Sequence, residues 1–191
     1  MLDRLALWDK DLLLAINHSH TTTLDWIMWQ ASGNLLWLPL YLFIIFLLYR
    51  QFGNKALWAI VIAIVAVGVA DFSSVHLFKE TIKRLRPCHN PALQAQIILV
   101  HNHCGGLYGF LSSHASNTFA LATLTSLWIR RGYFTTLVFL WATLVIISRI
   151  YLGVHYPSDV IAGALWGTFL GYIFYLLSKK IFFTDGKSKD R

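Results

Sequence analysis

The segment SRIYLGVHYPSD (residues 148–159) places an arginine, a histidine and an aspartate between two long uncharged runs. Charged groups near lipid are costly unless they are paired or hydrated, so Arg149, His155 and Asp159 predict a site that uses them. A neutral imidazole can attack phosphorus and form a phosphohistidine, and a nearby carboxylate can accept a hydrogen bond from its other ring nitrogen. We therefore expect His155 to be a nucleophile, oriented by Asp159, that acts on a phosphate group.

Further basic residues for the phosphate come from the segment KETIKRLRP (residues 79–87). Lys79, Arg86 and Arg149 would surround the phosphate, because arginine binds its oxygens in a bidentate fork and lysine adds a point charge. Fixed cations of this kind can neutralise the charge that develops during phosphoryl transfer. The sequence therefore predicts a site that needs no metal and no other cofactor.

The segment LSSHAS (residues 111–116) adds polar groups at the start of an apolar run. We expect His114 to be the general acid for the leaving group and later the base that activates water. Ser112 can donate its hydroxyl to the phosphate, and backbone N–H groups at a helix start suit an anion. Ser113 keeps such an N–H group, so both serines are candidate phosphate ligands.

The three segments, in this order, resemble the type-2 phosphatidic acid phosphatase superfamily, whose pattern is K-x6-RP, then PSGH, then SR-x5-H-x3-D. The first and third segments match at every defined position, whereas Leu111 replaces the family's proline and Ser113 its glycine. The resemblance runs from Lys79 to Asp159. It implies a metal-independent membrane lipid phosphatase or diphosphatase that works through a phosphohistidine.

The resemblance also implies a lipid phosphate as the substrate, drawn from the surrounding membrane lipids. Small bacterial members of the superfamily commonly recycle undecaprenyl diphosphate, so its hydrolysis to undecaprenyl phosphate is the first expectation. Phosphatidate or phosphatidylglycerol phosphate comes second, and the phosphate of lipid A third. A transporter that uses the same charges would place ionisable residues deep in several spans, whereas only Asp71 is deep in this sequence.

The composition indicates an integral membrane protein. Of the 191 residues, 57% are hydrophobic and 13% are charged, whereas a soluble domain carries roughly 25% charged residues. The net charge is +7, but the basic residues lie in short clusters between apolar runs. They therefore predict membrane topology and one anion site, and not nucleic-acid binding.

Five apolar runs are each near the roughly 20 residues that a spanning helix needs. We therefore predict a single all-α membrane bundle over residues 1–191, with spans at about 32–50, 56–78, 113–130, 133–151 and 158–180. The segment 1–31 precedes them, and the apolar spacing in its first half predicts an amphipathic helix. This helix either lies in the membrane interface or packs on the end of the bundle, and the segment HSHTTTLD after it is expected to be a polar turn.

The distribution of Lys and Arg predicts the orientation in the membrane. The linkers RQFGNK and RRGY and the tail 181–191 are basic and would share the cytoplasmic side. The loop 79–112 and the segment around His155 would then face the periplasm or exterior of a bacterial inner membrane. Several basic residues in this external loop break the charge bias, which favours an anionic ligand or, alternatively, lipid headgroups.

Three further features leave alternatives open. Cys88 and Cys104 lie in the external loop and could form a disulfide, bind zinc with neighbouring histidines, or remain free thiols. Asp71 could pair with a basic residue or a serine inside the bundle, or serve a proton path. Lys83 and Arg84 could add charge for a diphosphate, or could simply be solvated.

Overall fold

The computed structural model describes residues 2–183. The described chain is helical and contains no β-strand, which confirms the all-α prediction. The part of the predicted tail from residue 184 onward lies outside the described residues. In chain order the helices are α1 (Leu2–Asn17), α2 (Thr22–Ser32), α3 (Leu38–Phe52), α4 (Ala56–Ser73), α5 (Glu80–Ile82), α6 (Ser113–Ile129), α7 (Gly132–Tyr151) and α8 (Pro157–Phe182).

Within residues 2–183, three segments are long and apolar enough to cross a membrane: Leu35–Ile82, Gly132–Tyr151 and Pro157–Phe182. The first has 48 residues and contains both α3 and α4, which a turn at Gly53–Lys55 separates. Gly53 has a φ of 53°, a conformation that glycine adopts without steric cost. Two of the predicted spans therefore fall within one apolar segment.

The outer surface of the bundle is apolar, as contact with lipid requires. Large hydrophobic side chains on four of the long helices are exposed on the molecule. A soluble protein rarely exposes contiguous apolar patches of this kind, so the surface supports insertion in a membrane. Examples are Leu42, Phe46, Leu57, Ile64, Leu140, Leu165 and Phe169.

Helix α6 forms the centre of the bundle. Its side chains Ala120, Leu124 and Trp128 have no exposed surface, and the helix packs against α4, α7 and α8. Because protein surrounds it on most sides, α6 tolerates Ser, Thr and Asn residues that would be costly against lipid. With this composition and only 17 residues, α6 is not among the three apolar segments, although a span was predicted at residues 113–130.

Three glycines of α8 allow it to pack closely against α6. Gly163, Gly167 and Gly171 recur every fourth residue and so share one face of the helix. A Cβ atom on Gly163 or Gly171 would lie 2.6 Å from a backbone carbonyl oxygen of α6, and one on Gly167 would overlap the carbonyl of Ser116. Small residues in this spacing are typical of close helix pairs in membranes. The contact brings the start of α6 beside the start of α8.

The N-terminal region forms two helices. Helix α1 packs on the end of the bundle, with Asp9, Leu13 and Asn17 buried, and its position in the membrane interface stays a prediction. The predicted polar turn after α1 is wrong in its length, because α2 begins at Thr22. Thr21 caps that helix, since its Oγ1 accepts a hydrogen bond from the backbone N–H of Leu24 at 3.2 Å.

Candidate active site

One cavity of about 690 Å³ brings together five of the predicted site residues, which are Lys79, Arg86, Ser113, His114 and His155. They come from four separate parts of the chain. The lysine ends a π-helical turn, Ser74–Lys79, that continues α4, and such turns are frequent at functional sites. The other four residues lie in the loop after α5, in the first turn of α6 and in the turn between α7 and α8.

His155 is enclosed, with 1% of its surface exposed. Its Nδ1 lies 3.4 Å from Oδ2 of Asp159, and its Nε2 lies 3.0 Å from Nη1 of Arg86. Because a guanidinium can only donate, Nε2 accepts this bond and the ring proton is on Nδ1. Burial, together with the neighbouring cationic side chains, holds the pKa of His155 well below its usual value. The imidazole is therefore neutral and has an electron pair on Nε2.

Asp159 is fixed by hydrogen bonds to both of its carboxylate oxygens. The residue is fully buried in the first turn of α8, which begins at Pro157. Oδ2 accepts from the backbone N–H of Tyr156 at 3.0 Å, and Oδ1 accepts from Nη1 of Arg84 at 2.7 Å. The carboxylate is thus held in place beside the Nδ1 proton of His155.

Arg84 connects Asp159 to a second buried carboxylate, Asp9 of α1. Its Nη2 lies 2.6 Å from Oδ2 of Asp9, and its guanidinium stacks 3.9 Å above the ring of Tyr156. Asp9 is 3% exposed and also accepts from the backbone N–H of Ser158 at 2.8 Å. The N-terminal helix is therefore bonded directly to the segment that carries Asp159.

The solvated alternative for Arg84 is wrong, because its guanidinium is bonded to two carboxylates and its side chain is only 30% exposed. The alternative that it adds charge for a diphosphate stays a prediction. Sequence reasoning also missed Asp9. The two residues are 75 positions apart, and no local pattern joins them. The one available signal was an acidic residue at a position of α1 that the helical spacing assigns near its buried face. Lys83 is exposed, in agreement with the solvated alternative.

The serine that replaces the family's glycine holds Lys79. Nζ of Lys79 donates to Oγ of Ser113 at 2.6 Å, and the same oxygen lies 2.5 Å from Oγ of Ser74. The added side chain therefore points toward the lysine, and the hydroxyl contacts it directly. Ser113 is thus placed to orient the ammonium group as well as to offer its backbone N–H.

Two loop segments that are paired by backbone hydrogen bonds position Arg86, and they do not form a regular sheet. The backbone N–H of Arg86 donates to Leu107 at 3.1 Å, and that of Gly109 donates to Arg84 at 2.8 Å. Gly109 must be small, since a Cβ there would lie 2.9 Å from Oδ2 of Asp159. The second guanidinium contact of Arg86 is the carbonyl of Val154, 3.0 Å from Nη1.

A disulfide joins Cys88 to Cys104 next to this paired segment. This pairing agrees with the first of the three alternatives predicted for the two cysteines. Closing a loop of this length stabilises a protein by about 3 kcal/mol in the loop-entropy model. The bond therefore fixes the two chain segments that carry Arg86 and Gly109.

Ser112 and Arg149 lie beside the main cavity and not in its lining. The backbone N–H of Ser112 donates to the carbonyl of Asp159 at 3.1 Å, while its Oγ is buried without a partner. Arg149 lines an adjoining cavity of about 380 Å³ that also contacts His114, and it donates a short hydrogen bond to Ser32. His114 thus borders both cavities.

Asp71 lines the main cavity and has an amide as its partner. Nδ2 of Asn117 donates to Oδ1 of Asp71 at 3.0 Å. Asp71 is exposed on the molecule, and its partner is neither the basic residue nor the serine inside the bundle that was predicted. The alternative of a proton path stays a prediction. The aspartate lies two helical turns before Lys79, so it belongs to the same end of the bundle as the other residues described above.

Comparisons with known proteins agree with this arrangement. The family model of the PAP2 superfamily matches residues 55–183. The chain is 34% identical over 184 residues to the lipid A 4'-phosphatase of Bacteroides thetaiotaomicron, which covers 95% of this chain and 81% of the relative. It is 29% identical over 172 residues to the undecaprenyl-diphosphatase of Sulfolobus acidocaldarius, covering 87% of this chain and 76% of the relative.

A solved structure has the same fold. The transmembrane PAP2-type phosphatidylglycerolphosphate phosphatase from Bacillus subtilis aligns with a TM-score of 0.72 and 21% sequence identity, covering 93% of this chain and 88% of that chain. The family match extends over more than half of the chain and includes all three sequence segments. The protein therefore belongs to the PAP2 superfamily and is an integral membrane phosphatase, a hydrolase that acts on lipid phosphates.

Proposed function

We propose that the protein removes a phosphate monoester from a glycolipid of the lipid A class, with His155 as the nucleophile. The observation that carries this proposal is the neutral Nε2 of His155, which shares a cavity with Lys79, Arg86 and His114. The relationship to a lipid A 4'-phosphatase over 95% of this chain supports the substrate class.

In the proposed reaction, Arg86 exchanges its hydrogen bond with Nε2 for one with a phosphate oxygen, which frees the electron pair. Nε2 attacks phosphorus while the bond to the ester oxygen breaks, and His114 gives that oxygen a proton. Asp159 stabilises the positive ring of the phosphohistidine. His114 then takes a proton from a water molecule that attacks phosphorus, and this step releases phosphate and restores Nε2.

The cationic groups hold the phosphate during both steps. Lys79 and Arg86 line the main cavity, and Arg149 approaches from the adjoining cavity. The buried Nε atoms of Arg86 and Arg149 have no hydrogen-bond partner among the residues that the structure describes, so phosphate oxygens could satisfy them. Ser112 and Ser113 provide hydroxyl and backbone donors at the start of α6.

For the membrane, we propose five spanning helices, α3, α4, α6, α7 and α8, with the site at the outer face of a bacterial inner membrane. Nζ of Lys55 donates to the carbonyl of Ile181 at 3.1 Å, so the basic α3–α4 turn lies beside the end of α8. The site lies at the opposite end of α8, near Pro157. The bias of Lys and Arg toward the cytoplasm supports an external site.

Undecaprenyl diphosphate, the first expectation from the sequence, becomes the second candidate substrate. The relative with that activity is 29% identical to this chain, against 34% over a larger part of this chain for the lipid A 4'-phosphatase. The catalytic residues bind phosphate and do not themselves select the lipid. The similarity in sequence therefore favours the lipid A class.

Phosphate release by purified protein tests the proposal. The substrates are 4'-phosphorylated lipid A, undecaprenyl diphosphate, phosphatidate and phosphatidylglycerol phosphate, with His155→Ala as the matched inactive variant. We expect the largest kcat/KM for lipid A and no release by the variant. A larger kcat/KM for undecaprenyl diphosphate would reverse the two candidates, and equal release by the variant would exclude the proposed mechanism.

A further inference from the structure

We propose that the main cavity contains a headgroup subsite, formed by Asp71, Asn117 and Trp141, that binds an uncharged, hydroxyl-bearing ring of the substrate. All three residues line the same cavity as Lys79 and His155, and the catalytic steps described above use none of them. The inference rests on the proposed phosphatase function and specifies which phosphate esters it selects.

The subsite lies beside the phosphate-binding groups on two helices. Asn117 follows His114 by three residues on α6 and so shares its face, at a rise of about 4.5 Å along the axis. Asp71 precedes Lys79 by two helical turns on the α4 side. At this spacing both residues lie next to the groups that bind the phosphate. We expect the alcohol part of the phosphate ester to occupy this position.

The carboxylate and the amide offer the hydrogen bonds that a sugar ring requires. Among the described residues, Asn117 is the only donor that contacts the carboxylate of Asp71, at 3.0 Å from Oδ1. The remaining oxygen and lone pairs can accept from hydroxyl groups. Oδ1 of Asn117 is buried and has no hydrogen-bond partner within the described part of the chain, so it is available to accept from a further hydroxyl.

Aromatic residues also line this cavity. The ring of Trp141 packs edge-on against that of Tyr41, with centroids 5.9 Å apart and an angle of 86°, and both residues line the cavity. Nε1 of Trp141 is a buried donor without a partner, and buried donors of this kind usually have one. A ring with apolar faces and polar edges matches these residues, since aromatic side chains combine an apolar body with a polar group.

The charge of Asp71 argues against the other lipid phosphates. A second phosphate bound next to the first would meet a like charge, which disfavours diphosphates. A prenyl chain attached to the phosphate, or the diacylglycerol of a phosphatidate, would remove water from the carboxylate without replacing its hydrogen bonds. A neutral hydroxylated ring avoids both costs, so the subsite favours phosphate esters of sugars.

Matched charge variants test the inference. Asp71→Asn keeps the shape of the side chain, Asn117→Ala removes the amide, and Asp11→Asn removes the same charge from an exposed position of α1. The substrates are 4'-phosphorylated lipid A, undecaprenyl diphosphate and phosphatidate in mixed micelles, and the readout is kcat/KM for each. Losing a hydrogen bond to a charged group predicts a decrease of about tenfold or more for lipid A in both cavity variants.

We expect phosphatidate turnover to stay within about twofold, because it offers no hydroxylated ring to bind. Undecaprenyl diphosphate turnover should rise in Asp71→Asn, and Asp11→Asn should match the wild type on all three substrates. An equal decrease on every substrate would assign Asp71 to the support of Lys79 and overturn the subsite. Unchanged lipid A turnover in both cavity variants would also overturn the subsite, and it would leave the proposed function intact. A wild-type protein that releases no phosphate from any lipid would exclude the proposed function itself.

Discussion

The two histidines of the site have environments that suit different tasks. His155 is enclosed and bonded on both nitrogens, to Arg86 and toward Asp159. His114 borders two cavities and is only partly buried, so a leaving group and a water molecule can both reach it. The geometry therefore favours the enclosed histidine as the nucleophile and the accessible one as the acid and base.

The proposed role of His114 predicts a dependence on the leaving group. A lipid monophosphate releases an alkoxide, which needs a proton, whereas a diphosphate releases a phosphate ester, which departs more easily. His114→Ala should therefore reduce monophosphate hydrolysis more than diphosphate hydrolysis, by a factor on the order of 10²–10⁴. The measurement is kcat/KM on one lipid tail that carries either one phosphate or two. Equal losses would mean that His114 holds the phosphate and does not deliver a proton.

Arg84 is a positioning residue, since it contacts the site only through Asp159 and supports α1 through Asp9. Arg84→Ala removes a hydrogen-bond donor from both buried carboxylates. It should therefore lower the free energy of unfolding by about 1–3 kcal/mol. Because Asp159 would lose its orientation, kcat should fall with little change in KM. Lys83→Ala removes the same charge from an exposed neighbouring position and should have neither effect. An unchanged kcat in Arg84→Ala would restrict Arg84 to a purely structural role.

At the scale of helices, the close contact of α6 with α8 sets the distance between Ser112 and the Asp159 segment. Gly167→Ala would place a methyl group against the carbonyl of Ser116, and overpacking of this kind costs about 1–3 kcal/mol. Gly68→Ala on α4 is the control, because a Cβ there meets nothing within 4 Å. Thermal unfolding in detergent should show a lower Tm for the α8 variant alone. A wild-type Tm for Gly167→Ala would show that α6 and α8 can move apart without a loss of stability.

The disulfide between Cys88 and Cys104 predicts a matched result for two substitutions. Cys88→Ser and Cys104→Ser should each lower the free energy of unfolding by about 3 kcal/mol, since both open the same loop. Both should also raise KM, because the segment that holds Arg86 becomes less ordered. The double variant should equal either single variant in both measurements. Additive losses would mean that the cysteines act separately and that the bond has no role in the site.

At the scale of the whole molecule, the long apolar runs and the three chemical segments were sufficient to predict a helical membrane phosphatase. The positions of Lys79, His114 and His155 at helix ends follow from where charge is tolerated near lipid. The parts that could not be predicted depend on distant contacts. Asp9 meets Arg84 only because α1 folds over the end of the bundle, and Gly109 is required only because Asp159 approaches it.

The position of α6 inside the bundle explains why hydropathy identifies it less readily than the other long helices. Helix α6 is short, with 17 residues, and its Ser, Thr and Asn residues reduce its hydropathy, because its neighbours are helices and not lipid. Hydropathy detects contact with lipid, so it identifies the peripheral helices α3, α4, α7 and α8 more readily than a central one. A count from sequence alone therefore depends on a helix that the membrane hardly contacts.

The covalent intermediate provides the most direct test of the central claim. Purified protein is mixed with ³²P-labelled lipid substrate, quenched without acid and digested, and the labelled peptide is sequenced by mass spectrometry. We expect phosphate on His155 of the wild type, and none in His155→Ala, whose turnover should be abolished while its Tm is retained. Phosphate on another residue, or turnover by His155→Ala within about tenfold of the wild type, would contradict nucleophilic catalysis by His155.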